Sequence, residues 1–471
     1  MSPLLLLILG IAIVVICILW LKVDPILALL FAAIVVSILT PETLLMQFAE
    51  SKGMSESATQ AFLDQSIGRR LATSFGNTAS KIGILIAMAS IIGTCLLRSG
   101  SADRIIRSAL NLFGEKRAPA AFLTSGFTLG IPVFFDTVFY LLVPLNKALA
   151  MRVGKNYLFY LTATVAGAAM AHSLVPPTPG PLFVAGELGI DLGVMIVGGL
   201  VVGMFTITAG YLYASWANKR MTIPIRDTGD VTLEELNTLM NKDDSELPPL
   251  WLSLLPIVLP LILITANTVA RAVSGDTESW LLNAFYFLGD SNIALTVSAV
   301  VALLVLIKTE SDTKKLKKHI QESLQSAGVI ILITCMGGAF GGSLQQTGIG
   351  VYLQGMATNY QLAVLPMAFL VTVLIRTAQG SATVAMITAV GIVGSMVQPG
   401  SMDFHPVYLA LMIGCGSKPI PWMNDSGFWV VCKMSGMTEN EALKTFSTVL
   451  GIMGFVGMIV ILILAKLFPL V

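Results

Sequence analysis

The stretch Ala171-His172-Ser173-Leu174-Val175-Pro176-Pro177-Thr178-Pro179-Gly180-Pro181 puts four prolines within six residues. An apolar run flanks each side, Tyr157 to Met170 before it and Leu192 to Tyr213 after it. Proline lacks the N–H that a helix needs, and its ring clashes with the preceding turn, so no helix runs through this block. In hydrocarbon each unpaired backbone group costs several kcal/mol, so such a break persists only where it faces protein or a wet cavity. Broken helices at membrane depth are how secondary transporters build binding sites.

That argument requires a membrane, and composition supplies one. The chain has 471 residues, 55% hydrophobic and 12% charged, against about 25% charged in ordinary soluble domains. This is the profile of an all-α polytopic membrane protein lying in a lipid bilayer. The net charge of +1 offers no basic face, which excludes nucleic acid as a partner. Cys17, Cys95, Cys335, Cys415 and Cys432 lie in apolar runs without paired spacing. They read as small buried hydrophobes rather than metal ligands or disulfides. No motif calls for a cofactor. The N-terminus has no positive n-region and no small-residue cleavage site, so Pro3 to Leu21 reads as a first span.

Apolar stretches of about 17–25 residues mark further spans. Ile26 to Leu39 and Ile82 to Leu97 follow, with a mixed polar connector from Thr40 to Lys81 between them and a basic loop from Arg98 to Arg117 after them. Ala118 to Asn146 is apolar but interrupted at Gly130-Ile131-Pro132-Val133-Phe134-Phe135-Asp136-Thr137, which suggests a re-entrant hairpin with its tip at Pro132 to Thr137. The proline-broken span comes next, then Leu192 to Tyr213. Trp216 to Pro249 is an acidic linker. Beyond it Leu250 to Ala270, Ile293 to Ile307 and Ala327 to Leu344 are spans. Ala363 to Met396 is broken at Arg376 to Thr383, Val407 to Val431 is broken at Ser417 to Gly427, and Phe446 to Phe468 is the last span.

The second half thus repeats the order of the first. A short echo, Gly93-x-x-Leu96-x-x-Ser99-Gly100 and Gly341-x-x-Leu344-x-x-Thr347-Gly348, precedes each hairpin. The expected organisation is a first repeat over 1–215, a cytoplasmic linker over 216–249 and an inverted second repeat over 250–471. That gives about ten transmembrane helices, two re-entrant hairpins and two broken helices. With the N-terminus outside, the basic segments Arg98 to Arg117, Lys147 to Lys155, Lys219 to Arg226, Lys308 to Lys318 and Lys433 to Lys444 all fall in the cytoplasm, as the positive-inside rule asks. The connector from Thr40 to Lys81, with Lys52, Arg69, Arg70 and Lys81, is the exception.

Inverted symmetry brings four breaks together near the midplane, where half-helix ends offer free N–H groups and partial charge to a carboxylate. Asp136 at the first tip is a proton carrier or cation ligand, or else a helix cap with Thr137. His172 suits a proton relay, or packs beside irregular backbone. Phe135, Thr137, Thr178, Gln379, Gly380, Ser381, Thr383, Asn424, Asp425 and Ser426 are candidates to hold substrate through hydroxyls, amides and close backbone approach. Arg376 could meet a substrate carboxylate or an acid of the protein. Lys418 and Asp425 could pair with each other or touch substrate.

The segments GIPVFFDTVFYLLVP (Gly130 to Pro144), AHSLVPPTPGPLFVA (Ala171 to Ala185), IRTAQGSATVAMITAVGIV (Ile375 to Val393) and GSKPIPWMNDSGFW (Gly416 to Trp429) resemble the gluconate permease (GntP) family of bacterial inner-membrane transporters. The likeness runs over nearly the whole chain. It implies proton-linked uptake of gluconate and related sugar acids, with some members taking other small hydroxylated acids such as D-serine. It also resembles a branch of the larger ion-transporter superfamily, which implies a homodimer whose transport domain moves against a scaffold. Where gluconate carriers are expected to have Glu at the hairpin tip, this chain has Asp136.

The leading reading is a symporter importing gluconate or a related small hydroxylated acid across the bacterial inner (plasma) membrane. It would work by elevator-type alternating access and be proton-coupled through Asp136 or His172. A sodium-coupled organic anion transporter is the alternative, since hydroxyls and carbonyls at the tips could ligate Na+. An intramembrane enzyme would need a His/Glu metal motif or G-x-S-x-G, a channel a filter repeat, and an ATP-driven pump G-x-x-x-x-G-K-[ST]; the sequence has none of these.

Overall fold

The computed structural model describes residues 2–226, 247–274, 280–310, 312–349, 363–394, 402–423 and 425–470. Among them every regular element is helical, since a helix satisfies its own backbone groups without water. Seven helical stretches among the described residues are long and apolar enough to cross a membrane. An eighth is obtained if Pro25–Leu39 and Glu42–Ser51, bent by 101° at their junction, count as one span. The sequence leads to about ten crossings. The shorter apolar helices Val364–Thr377, Ala382–Val393 and Val407–Gly416 are pieces of the segments read as broken.

Helix starts follow from short polar residues set before apolar runs. Ser2 caps α1 (Pro3–Leu19), Asp24 caps α2 (Pro25–Leu39) and Ser66 caps α5 (Ile67–Arg98), each accepting a first-turn N–H that the helix leaves without a partner. Between them lie α3 (Glu42–Ser51) and α4 (Glu56–Leu63). Two connectors are more helical than their charge suggests. The end of the polar connector, up to Lys81, is the first half of α5. The basic loop contains α6 (Ser101–Phe113), entered through Gly100 at φ 78°. α6 buries Ser101, Ala102, Ile105 and Ile106 along one stripe, a pattern that a search for continuous apolar runs passes over.

Among the described residues, and besides the bent α2–α3 junction, four breaks matter for the site. Ile131 to Phe134 separate α7 (Ala118–Gly130) from α8 (Phe135–Val153), and Val175 to Thr178 separate α9 (Tyr157–Leu174) from α10 (Pro179–Glu187). After α11 (Leu192–Arg220), α12 (Leu250–Ser274), α13 (Trp280–Leu288), α14 (Ser291–Thr309) and α15 (Thr313–Gln346), the pattern recurs. Gly380 and Ser381 separate α16 (Val364–Gln379) from α17 (Ala382–Val393). Ser417 to Asp425 separate α18 (Val407–Gly416) from α19 (Ser426–Ser435). The short helix α20 (Glu439–Ala442) leads into α21 (Thr448–Leu467). Helices of 9 to 13 residues such as α7, α10, α17, α18 and α19 span about 14–20 Å, short of the roughly 30 Å of hydrocarbon. The α9–α10 stretch is almost wholly buried, as irregular backbone at depth must be.

Packing sets these breaks around α15. That helix lies against α2 and α5 on one side and α17 on the other, and glycines make both approaches possible. A Cβ on Gly338 would sit 2.0 Å from Thr78 Oγ1 and one on Gly342 2.6 Å from Ser74 Oγ, both on α5. One on Gly337 would sit 1.9 Å from Ile387 Cγ2, and one on Gly341 3.1 Å from the Gly391 Cα, both on α17. α7, α8 and α10 pack on α9, while α16, α17 and α21 pack on α18. Most of the acidic linker, residues 227–246, lies outside the described residues.

Candidate functional site

All four breaks border one cavity of about 260 Å³. The α7–α8 break contributes Phe134, Phe135 and Asp136, and the α9–α10 break contributes His172 and Pro179. The α16–α17 break contributes Arg376, Gly380, Ser381 and Thr383, and the α18–α19 break contributes Lys418, Asp425, Ser426 and Gly427. Ile330, Ile333 and Thr334 of α15, with Phe446 and Leu450, complete the wall.

Local chemistry explains each position. α8 starts from an extended Phe134 with no side-chain cap. Asp136 stands in its first turn and lines the cavity, so the capping role open to it in the sequence is not the one built. At the second tip Gly380 ends α16 at φ 82°, the left-handed region that suits glycine, and turns its carbonyl back to accept from Arg376. Ser381 then caps α17 by accepting the Val384 N–H at 3.3 Å. Asp425 caps α19, one oxygen accepting the Gly427 N–H at 2.7 Å. Its other oxygen forms an ion pair with Arg376. Arg376 also donates from Nε to the Ser417 carbonyl at 3.0 Å. The acid that Lys418 could have paired with is therefore held by Arg376, which ties the two breaks of the second half together.

The first half docks on this assembly through its proline-broken helix. Ser417 Oγ donates to Ser173 Oγ at 3.3 Å, where a Cβ on Gly414 would come within 2.6 Å of the Ser173 carbonyl. His172 lies edge-on to Phe134 at 5.9 Å between ring centroids, and its buried Nδ1 has no hydrogen-bond partner among the described residues. Phe135 stacks on Phe139 at 5.8 Å and lies 6.0 Å from Phe446.

The sequence-derived set divides cleanly. Phe135, Asp136, His172, Gly380, Ser381, Thr383, Asp425 and Ser426 meet at the cavity. Thr137 faces a second cavity of about 190 Å³, with Ser90, Thr94 and Ser323, on the other side of the tip. Thr178 is buried and donates to the Val175 carbonyl at 2.8 Å, away from the main cavity. Asn424 and the side chain of Gln379 lie outside the described residues. Sequence reasoning missed the wall from α15. Thr334 is one hydroxyl in an apolar helix and gives no signal of its own.

The cavity offers hydroxyls from Thr334, Ser381, Thr383 and Ser426 beside aromatic rings and charged groups, so it can hold a small polar solute. No cluster of His, Cys, Asp and Glu suited to a metal occurs among the described residues. A multi-pass membrane protein whose helices break four times around one polar cavity is built as a transporter. The GntP family permease model matches residues 2–468, and the chain belongs to that family, a family of permeases rather than enzymes. An uncharacterized permease of Haemophilus influenzae is 36% identical over 377 residues, 78% of this chain and 76% of that one. A gluconate permease of Pseudomonas aeruginosa is 32% identical over 399 residues, 83% of this chain and 86% of that one. Among solved structures, Neisseria gonorrhoeae MtrF superposes with a TM-score of 0.60 at 16% identity, over 85% of this chain and 84% of that one, a likeness of fold.

Proposed function

We propose that this permease is a secondary active symporter that imports gluconate or a related small hydroxylated acid and binds it in the four-break cavity. The observation that carries the reading is the convergence of four helix breaks, hydroxyls and cationic side chains on one small cavity. Its volume is near the low end for ligand sites, roughly 300–1,000 Å³, which suits a sugar acid better than a large solute. The named activity of the Pseudomonas relative points the same way. Asp136 carries the coupling proton: it borders the cavity and takes no part in the Arg376–Asp425 pair. His172 is the second candidate.

The arrangement supports alternating access. The cavity lies between α15, clamped to α2 and α5, and the short broken helices. Moving the broken helices along α15 would carry the solute across, as in an elevator. The recurring order supports inverted repeats: a long helix (α5, α15), a broken pair, a broken span, and a long closing helix (α11, α21).

The test is uptake of labelled gluconate into proteoliposomes under an imposed proton or sodium gradient. An inward proton gradient should drive accumulation. Accumulation under a sodium gradient alone would transfer the coupling to Na+. The absence of any sugar-acid accumulation would remove the reading.

A further inference from the structure

On the transport reading above, a sugar acid brings one carboxylate into a cavity bordered by two cations, Arg376 and Lys418. Both are buried, each 4% exposed. They differ in what they already hold. The Arg376 guanidinium is engaged in three directions, by the Ser417 carbonyl, the Gly380 carbonyl and Asp425. Asp425 is equally committed, to Arg376 and to the Gly427 N–H. The pair cancels, and drawing Arg376 toward a solute would strip a buried carboxylate of its counter-charge, which is costly.

Lys418 lies just past Ser417, the C-cap of α18, with its backbone N–H bonded to the Cys415 carbonyl at 3.1 Å. Its ammonium forms no hydrogen bond or ion pair with any described residue. An ammonium carries three donors and no acceptor, and a buried one calls for an anion. Asp136, the other ionisable group left over at the cavity, carries the coupling proton and offers no positive charge to a second carboxylate.

We propose that Lys418 seats the substrate carboxylate, that Arg376 is a strut between two helix breaks, and that the cavity selects acids carrying a single negative charge. The hydroxyl-bearing tail then lies toward Thr334, Ser381, Thr383 and Ser426. A dicarboxylate would bury its second charge without a partner, and a neutral polyol would leave the ammonium unmatched once water is displaced. Both penalties discriminate strongly, because a buried polar group left unpaired costs more than a lost contact.

The experiment compares three six-carbon competitors of labelled gluconate in proteoliposomes: unlabelled gluconate, the dicarboxylate glucarate and the neutral sorbitol. In the wild type, gluconate should compete about 100-fold better than either, a gap of about 2.8 kcal/mol at 1.4 kcal/mol per tenfold. Lys418→Gln should raise the half-saturation for gluconate about 100-fold and erase its advantage over sorbitol, while Lys418→Arg keeps the order. The unfolding midpoint of Lys418→Gln should stay at or above that of the wild type, since an unmatched buried cation has been removed. Glucarate competing as well as gluconate in the wild type, or an unchanged half-saturation in Lys418→Gln, overturns the assignment. If the wild type binds no sugar acid at all, the transport reading falls first and this assignment with it.

Discussion

Asp425→Asn isolates the contribution of the Arg376 ion pair. The amide keeps an oxygen that can accept the Gly427 N–H, so the cap of α19 survives, but the charge facing Arg376 is gone. Arg376 is 4% exposed, so solvent can replace little of the lost carboxylate. Removing one partner of a buried pair costs about 3–5 kcal/mol. Asp425→Ala loses the cap as well, about 1 kcal/mol more. At about 2 °C per kcal/mol, the low end for domains of 150–250 residues, Asn should lower the unfolding midpoint by roughly 6–10 °C and Ala by somewhat more. The assay is built into the chain. Cys17, Cys95, Cys335, Cys415 and Cys432 are all free and buried, so a thiol-reactive fluorophore reports unfolding of the detergent-solubilised protein. Replacing both partners with apolar residues of similar volume, Arg376→Met with Asp425→Leu, should recover most of the loss apart from the missing cap, as buried pairs exchanged together often do. If both single variants unfold at the wild-type midpoint, the pair holds nothing together and Arg376 is free to meet substrate.

Three further outcomes test other levels of the account. Asp136→Asn keeps an acceptor but cannot titrate. It should abolish proton-driven accumulation while leaving counterflow exchange, and accumulation with an unchanged pH profile would shift the coupling role to His172. Gly167→Ala would place a Cβ 2.1 Å from the Leu123 carbonyl oxygen and 2.8 Å from the Phe127 nitrogen. Overpacking against backbone should cost roughly 1–3 kcal/mol, read by the same thiol assay, and a wild-type midpoint would contradict the close crossing of α7 and α9. Lys219→Cys and Asp290→Cys should react with a membrane-impermeant thiol reagent from opposite faces; labelling from one face would refute the proposed topology.

The breaks were legible because proline and glycine act on the backbone itself. A continuing helix cannot pass through Pro176 to Pro181, where Pro179 and Pro181 fit only the first turn of a new one, so the place of the break follows from residue type alone, and Gly380 marks the second tip in the same way. Pairing was less legible. Arg376 and Asp425 stand 49 positions apart, and no spacing rule joins them across two breaks; Lys418, only seven positions from Asp425, looked the nearer partner. The helical character of Ile67 to Lys81 and of Ser101 to Phe113 was hidden because those helices bury one stripe and leave the rest polar. The α15 wall was invisible because Thr334, Ile330 and Ile333 look like any residues of a span.

The glycines of α15 have a consequence for reading genetic variation. Gly337 and Gly341 face α17, while Gly338 and Gly342 face α5. The helix is a blade held on two flanks, and at these four positions it presents only hydrogen to them. Any side chain larger than hydrogen pushes on one neighbour, and at Gly337 and Gly338 the gap is too small for a methyl group. A saturation scan scored by growth on the imported solute would therefore show a four-position stripe of intolerance beside the cavity positions Ile330, Ile333 and Thr334 of the same helix. Read without coordinates, that stripe would be mistaken for a ligand contact. Substitutions in it should lower the amount of protein in the membrane while leaving the half-saturation of the surviving molecules intact, and the two measurements together separate a jammed blade from a damaged binding site.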